Sequence, residues 1–141
     1  MNPVPLFLII VTLPLLLGGC GVEEPELEVI NFDELEERDG IAYQKGFDTR
    51  YTGKAITLYE NGQKKDEDNF KDGKRDGLQL FWHQNGQKRG EINWKNGKQN
   101  GLLVGWHENG QKDYEANFKD GKQNGLFVDW YENGPKKQEG N

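Results

Sequence analysis

From residue 52 onward the chain repeats itself every 24 residues without insertion or deletion. Thr52-Gly53, Asp76-Gly77, Asn100-Gly101 and Asn124-Gly125 open the units. Inside them Asn61-Gly62, Asn85-Gly86, Asn109-Gly110 and Asn133-Gly134 recur at the same spacing, as do Asp72-Gly73, Asn96-Gly97 and Asp120-Gly121. Such a period means that each unit is one supersecondary element, unable to bury its apolar side alone and stabilised by its neighbours. The closely spaced glycines exclude helix. Asn-Gly and Asp-Gly between runs of β-formers are instead hairpin turns, because Gly accepts a positive φ without a Cβ clash and Asn tolerates it. The predicted fold is all-β, a single-layer antiparallel β-meander of about eight strands. Its hairpin units are 52–75, 76–99, 100–123 and 124–141.

Side-chain alternation sets an expected register. An even loop at Asn85-Gly86 would place Leu78, Leu80 and Trp82 with Arg89, Glu91 and Asn93. A three-residue loop, Gln84-Asn85-Gly86 with Gly86 left-handed, pairs Trp82 with Lys88 and groups Leu78 and Leu80 with Ile92 and Trp94. The odd loop separates core from charge and is the predicted one. The same parity groups Leu102, Val104, Trp106, Tyr114, Ala116 and Phe118 in the third unit, and Leu126, Val128 and Trp130 in the fourth. The opposite face is expected to be mostly polar.

Upstream of the repeat the composition changes. The formal net charge is −6, and residues 21–50 carry ten acidic against three basic side chains, so the excess lies in this arm. An acidic chain is a poor partner for nucleic acid, whose phosphates need a basic surface. Residues 20–34 are predicted to be a solvated acidic tether. Val4 to Leu17 is uncharged, interrupted by Pro5 and Pro14, and shorter than the roughly 20 residues that span a bilayer as a helix. It reads as the apolar segment of a signal peptide, residues 1–19. Leu17-Gly18-Gly19-Cys20 resembles the cleavage box of bacterial lipoproteins. That resemblance implies cleavage before Cys20, acylation of its thiol and, with Gly21 following, an outer-membrane location in the cell envelope. A lipidated Cys20 accounts for a lone cysteine that has no disulfide partner in the chain.

A second resemblance is carried by the repeat. Phe70-Lys-Asp-Gly73-Lys-Arg-Asp-Gly77-Leu78 returns as Trp94-Lys-Asn-Gly97-Lys-Gln-Asn-Gly101-Leu102 and Phe118-Lys-Asp-Gly121-Lys-Gln-Asn-Gly125-Leu126. These strings resemble MORN-type (membrane occupation and recognition nexus) repeats. The added Tyr/His-Glu/Gln-Asn-Gly-Gln-Lys element is similar to the bacterial MORN-variant group, whose members are often labelled antitoxin-like. Within that resemblance, Ile41-Ala42-Tyr43, Phe47 and Tyr51-Thr52-Gly53 read as a degenerate leading unit over 35–51. The resemblance implies a sheet used for association and no defined catalytic residues.

The chain contains no serine, and its single cysteine is assigned to lipidation, so Ser and Cys nucleophiles are excluded. His83 and His107 are repeat equivalents two strand spacings apart, about 9.5 Å, too far for one zinc without leaning together. Glu91 and Glu115 are equally separated and do not make a glycosidase pair. No enzyme activity, metal or cofactor is expected. Lysine rows at Lys64, Lys88, Lys112 and Lys136 and at Lys71, Lys95 and Lys119 read as solubilising and edge-protecting. Trp82, Trp106 and Trp130 form a row that reads as sheet core, or alternatively as a platform for stacking sugar rings. Phe81, Leu103 and Phe127, beside Tyr59, His83, His107 and Tyr131, form an aromatic stripe with no expected folding role and are the predicted recognition residues. The functional expectation is a membrane-anchored, non-catalytic protein-binding scaffold lipoprotein whose partner is an envelope protein, with self-association through the apolar face as a further route. Envelope glycan (peptidoglycan) binding through the Trp row and a toxin-neutralising antitoxin or immunity role are the alternatives.

Overall fold

The structure is a computed structural model that describes residues 27–140; the expected signal peptide, Cys20 and the first part of the acidic arm lie outside the described residues. The strands in chain order are β1 (Val29–Asn31), β2 (Leu35–Arg38), β3 (Ile41–Gln44), β4 (Gly53–Leu58), β5 (Lys64–Lys71), β6 (Lys74–Arg75), β7 (Gly77–Trp82), β8 (Lys88–Lys95), β9 (Lys98–Trp106), β10 (Lys112–Lys119), β11 (Lys122–Trp130) and β12 (Lys136–Gly140). One ten-stranded sheet runs β1-β4-β5-β7-β8-β9-β10-β11-β12, with β6 paired to β5, while β2 and β3 form a separate hairpin. Every pairing in the repeat is antiparallel, as expected for a meander; β1 alone joins in parallel, on β4.

Two kinds of turn alternate. At Asn96-Gly97 both residues have positive φ, 50° and 77°, and Lys95 pairs directly with Lys98. This is the two-residue turn whose twist matches that of the strands it joins, and only Asn, Asp or Gly enters it without strain. At Asn85-Gly86 the loop is longer: the His83 N–H donates to the Gln87 carbonyl, the Gly86 N–H to the His83 carbonyl, and Asn85 Oδ1 accepts from the Gln87 N–H. Gly86 is left-handed, φ 84°, and Trp82 pairs with Lys88, as predicted.

Beyond that pair the expected register fails. Phe81 pairs with Gly90 rather than Arg89, so Arg89 is the extra residue of a β-bulge, and Lys65, Asp113 and Lys137 repeat it in the other units. The bulge reverses the parity of the second strand. Leu80 therefore faces Glu91, Leu78 faces Asn93, and Val104 faces Glu115, whereas Ile92, Trp94, Tyr114, Ala116 and Phe118 lie on the other side. The groupings of Leu78 and Leu80 with Ile92 and Trp94, and of Leu102, Val104 and Trp106 with Tyr114, Ala116 and Phe118, are thus corrected. Alternation separates core from charge only where a sheet has one dry face and one wet face. A sheet one layer thick has no dry side, and apolar residues are divided between both faces.

The two faces have different characters. On the Trp82 face a central row runs Ile56, Glu67, Leu80, Glu91, Val104, Glu115, Val128 and Glu139. Each glutamate is ion-paired to the lysine three residues before it, at 2.5 Å for Lys64–Glu67, 2.8 Å for Lys88–Glu91 and 2.6 Å for Lys136–Glu139, with Lys112–Glu115 alike. Burial raises the Glu67 carboxyl, but hydrogen bonds from Lys64 and Lys54 outweigh it and hold the group below its usual range. On the Tyr114 face the central row is Ala55, Asp68, Gln79, Ile92, Leu103, Ala116 and Phe127. Ala55, Ile92 and Ala116 are buried, as are Val104 and Val128 on the opposite face.

The N-terminal part covers only the first unit. Ile30, Ala42, Tyr51, Ala55 and Phe70 form the buried cluster, with Leu35 packed on it. The β2–β3 hairpin docks through Ala42 N–H to the Gly73 carbonyl, Gly73 N–H to Tyr51 and Tyr51 N–H to Ala42, all between 2.7 and 2.9 Å. Arg75 closes the cluster: its Nε donates to Asp68 at 2.5 Å, and its guanidinium sits 5.4–5.8 Å from the rings of Phe32, Phe70 and Trp94. The predicted tether is shorter than 20–34, because Val29–Asn31 is a strand on β4 and Phe32–Glu34 a 3₁₀ turn. Ile30 supplies the reason, as it is an apolar side chain with a site to fill.

Tyr51 ties the two parts together, its hydroxyl lying 2.8 Å from the Lys54 carbonyl and 3.1 Å from that of Glu28. Burial, with smaller contributions from Glu28 and Glu34, pushes this phenol up to about 12. A raised phenol favours the protonated, folded form, so its contribution is intact below the usual 10.0 and lost as pH rises toward 12. Tyr51→Phe is expected to lower stability by about 1–2 kcal/mol at neutral pH. It is also expected to flatten the loss of stability between these two pH values, measured by urea unfolding across an alkaline series.

Candidate protein-binding face

The four units differ from one another on one face. On the Trp82 face the chemistry is retained from unit to unit: Leu58, Trp82, Trp106 and Trp130; Lys64, Lys88, Lys112 and Lys136; Glu67, Glu91, Glu115 and Glu139; Ile56, Leu80, Val104 and Val128. On the Tyr114 face equivalent positions change character, as in Ala55, Gln79, Leu103 and Phe127, or Thr57, Phe81, Gly105 and Asp129. The facing strands vary likewise, through Asp66, Gly90, Tyr114 and Gln138, and the bulge positions read Lys65, Arg89, Asp113 and Lys137. One side therefore holds the framework that stacks the units, and the other keeps an aromatic at Phe70, Trp94 and Phe118 near one edge but varies along its central and groove rows.

The variable row Asp66, Phe81, Gly90, Gly105, Tyr114 and Asp129 crosses β5, β7, β8, β9, β10 and β11. Its two glycines make a floor on which the aromatic rings lie. A Cβ at Gly105 would fall within the Tyr114 ring, and one at Gly90 would stand 3.4 Å from Phe81 and 3.5 Å from the Tyr114 hydroxyl. Tyr114 and Phe81 thus flank an open groove of about 610 Å³, rimmed by His83, Arg89, His107, Glu108, Asp113 and Glu132. Burial raises the Tyr114 phenol, Asp113 raises it further, and Arg89 opposes them. Burial also raises the Asp66 carboxyl, against the pull of Lys65 and Arg89. Asp129 Oδ1 is buried without a hydrogen-bond partner, while its Oδ2 lies 3.4 Å from Lys137.

The predicted recognition residues divide into two groups. Phe81, Leu103 and Phe127 are half-buried on the Tyr114 face, among the apolar residues rather than on a polar side. Tyr59, His83 and His107 have a folding role that the sequence reading did not assign. Tyr59 donates from its hydroxyl to the Trp82 carbonyl at 2.7 Å, His83 Nε2 bonds the Trp106 carbonyl at 2.7 Å, and His107 Nε2 bonds that of Trp130 at 3.1 Å. Because a carbonyl only accepts, both imidazoles carry a proton on Nε2. These side chains staple each unit to the next, and Tyr131, the fourth equivalent, is 52% exposed. Asp113, Tyr114, Gly90 and Gly105 are groove residues that sequence reasoning missed; the signal was available as the positions that differ between aligned units.

Trp82, Trp106 and Trp130 already have partners. Lys64, Lys88 and Lys112 lie 5.1, 5.5 and 5.5 Å from the respective ring centroids, and a lysine is also the cross-strand neighbour of each Trp. A sugar stacking there must displace a lysine. Among the described residues no group of three or more His, Cys, Asp or Glu is placed to hold a metal.

The staple makes a direct prediction. His107→Phe should lower stability by about 1 kcal/mol, and His83→Tyr should leave it nearly unchanged because Tyr59 makes the same bond. Chemical unfolding monitored by tryptophan fluorescence checks both.

Comparison with known proteins places this geometry. The family described as MORN repeat variant matches residues 51–72, 75–96 and 99–120. No curated protein matches the chain. Among solved structures, a crystal structure of accessory secretory protein 1, 2 and 3 in Streptococcus pneumoniae is similar at a TM-score of 0.37 and 13% identity, over 77% of this chain and 22% of that one. That likeness is too low to carry a statement about fold or role. The three matched repeats fall on the hairpins β4 to β10, the fourth unit continues their pairing, and over residues 51–120 the chain belongs to the MORN repeat variant family, a repeat-built architecture that suits binding or scaffolding.

Proposed function

We propose that this protein is a lipid-anchored, non-catalytic scaffold of the bacterial envelope, built of an acylated Cys20, a short acidic tether and a MORN ribbon that binds a protein partner with its Tyr114 face. The observation that carries the reading is the segregation of unit-to-unit change. Repeat proteins hold the stacking residues constant and vary those that meet a partner. Here the constant Lys and Glu rows and the Trp row of the last three units occupy one face, and the side chains that vary most the other. The N-terminal cluster covers the variable face only over the first unit, so Phe81, Leu103, Tyr114 and Phe127 lie on a rigid backbone with aromatic groups to offer. The anchor rests on the uncharged stretch from Val4 to Leu17 and on Leu17-Gly18-Gly19-Cys20. An outer-membrane location follows from the same cleavage box with Gly21 after the cysteine.

The test uses the full chain in cells with a photo-crosslinking phenylalanine analogue at Phe127 or, on the opposite face, at Leu102. A discrete protein adduct is expected from Phe127 and none from Leu102. Palmitate labelling is expected in the wild type and absent in Cys20→Ser. An adduct from Leu102 alone would overturn the reading, as would retention on purified peptidoglycan that disappears in a folded Trp106→Ala variant.

A further inference from the structure

We propose that the groove of the third unit receives a lysine or arginine side chain of the protein partner, seated on the Tyr114 ring and balanced by Asp113, Glu108 and Glu132. The inference rests on the reading of the Tyr114 face as the binding face and names the chemistry that it recognises. Its basis is a broken pattern. The bulge residue is a cation in three units, and each has a local target: Lys65 lies 5.9 Å from the Tyr59 ring, Arg89 5.6 Å from the Phe81 ring and 3.7 Å from Asp66, and Lys137 3.4 Å from Asp129. In the third unit the bulge residue is Asp113, beside Tyr114, so the repeat supplies an aromatic ring and replaces its cation by a carboxylate.

The surroundings add to the demand for positive charge. Glu108, Asp113 and Glu132 share the groove with one fixed cation, Arg89, and Arg89 is already engaged by Phe81 and Asp66. The carboxylates are accessible, Glu108 at 69% and Asp113 at 41% side-chain exposure; among the described residues each has only a histidine ring alongside, His83 Nδ1 3.9 Å from Glu108 and His107 Nε2 3.4 Å from Asp113, and both can close on an incoming group. A cation over an aromatic face with carboxylates alongside is attracted by the ring quadrupole and by the charges together. Anionic lipid headgroups and polyanions are repelled by the same carboxylates. Residues 1–26 contain no lysine or arginine, so the chain's own N-terminal segment cannot supply the side chain.

The experiment uses the full chain, ¹⁵N-labelled in detergent micelles, titrated with a blocked heptapeptide Gly-Thr-Val-Arg-Val-Thr-Gly and with its counterpart carrying Gln for Arg. The Arg peptide is expected to shift the Gly90 and Gly105 amides saturably, with binding roughly tenfold tighter than that of the Gln peptide, the size of one accessible charge pair plus a cation–π contact. Asp113→Lys, which supplies the cation internally as the first and fourth units do, is expected to remove that advantage. Glu91→Gln on the opposite face is expected to retain it. Equal binding of the two peptides, or an Arg preference that survives Asp113→Lys, overturns the proposal. So do shifts of Gly90 and Gly105 that follow protein concentration alone, which identify a second copy as the occupant. If the Phe127 adduct persists while the peptides bind equally, the cationic assignment falls and the binding face stands.

Discussion

A sheet one layer thick has no opposing layer to take up its apolar surface, and this constraint governs the rest of the molecule. Each hairpin can shelter side chains only beneath those of its cross-strand neighbours, so outside the N-terminal cluster burial concentrates in the central rows; Ala55, Ile92, Val104 and Ala116 there reach 3% exposure or less. Stability then accumulates along the ribbon through contacts between adjacent units, as in other quasi-linear repeats. The Tyr59, His83 and His107 bonds to the next unit's tryptophan carbonyl are that coupling in hydrogen-bonded form.

The recurring bulge is the structural answer to the same constraint. It turns Lys and Glu of the second strand toward the tryptophans, so that each indole is covered by lysine methylenes and ammonium while the glutamate holds the lysine in place. A chain without a second layer thereby covers its largest rings with its own amphipathic side chains. The bulge residue itself is freed from pairing, Arg89 and Asp113 reaching the groove, and Lys65, Arg89, Asp113 and Lys137 can therefore differ without disturbing the stack.

Constancy on one side and variation on the other divide folding from recognition within each unit. The Trp82 face keeps its Lys–Glu pair in all four units and its Trp in the second, third and fourth, with Leu58 in the first. The Tyr114 face tolerates Phe81 in the second unit, Gly105 in the third and Asp129 in the fourth, because the backbone is already held by turns and by the opposite face. The groove is a consequence of two glycines meeting across β8 and β9, where two rings find room to lie flat.

The 24-residue period and its Asn-Gly and Asp-Gly turns determined, by themselves, the all-β class, the hairpin unit and the antiparallel order, because a positive φ at those sites is a local property of the chain. The Trp82–Lys88 pair next to the turn was legible for the same reason. Which side chains share a face was decided only by tertiary structure: a single extra residue at Arg89 reverses parity, and nothing local to that residue announces it. The folding role of His83, which bonds a carbonyl 23 residues away, and the meeting of Tyr114 with Gly105 and Gly90 across strands likewise exist only once the folded sheet brings these groups together. Residues 29–31 joined the sheet rather than the tether because the first unit leaves an apolar site that Ile30 fills, and that vacancy exists only once the sheet has formed.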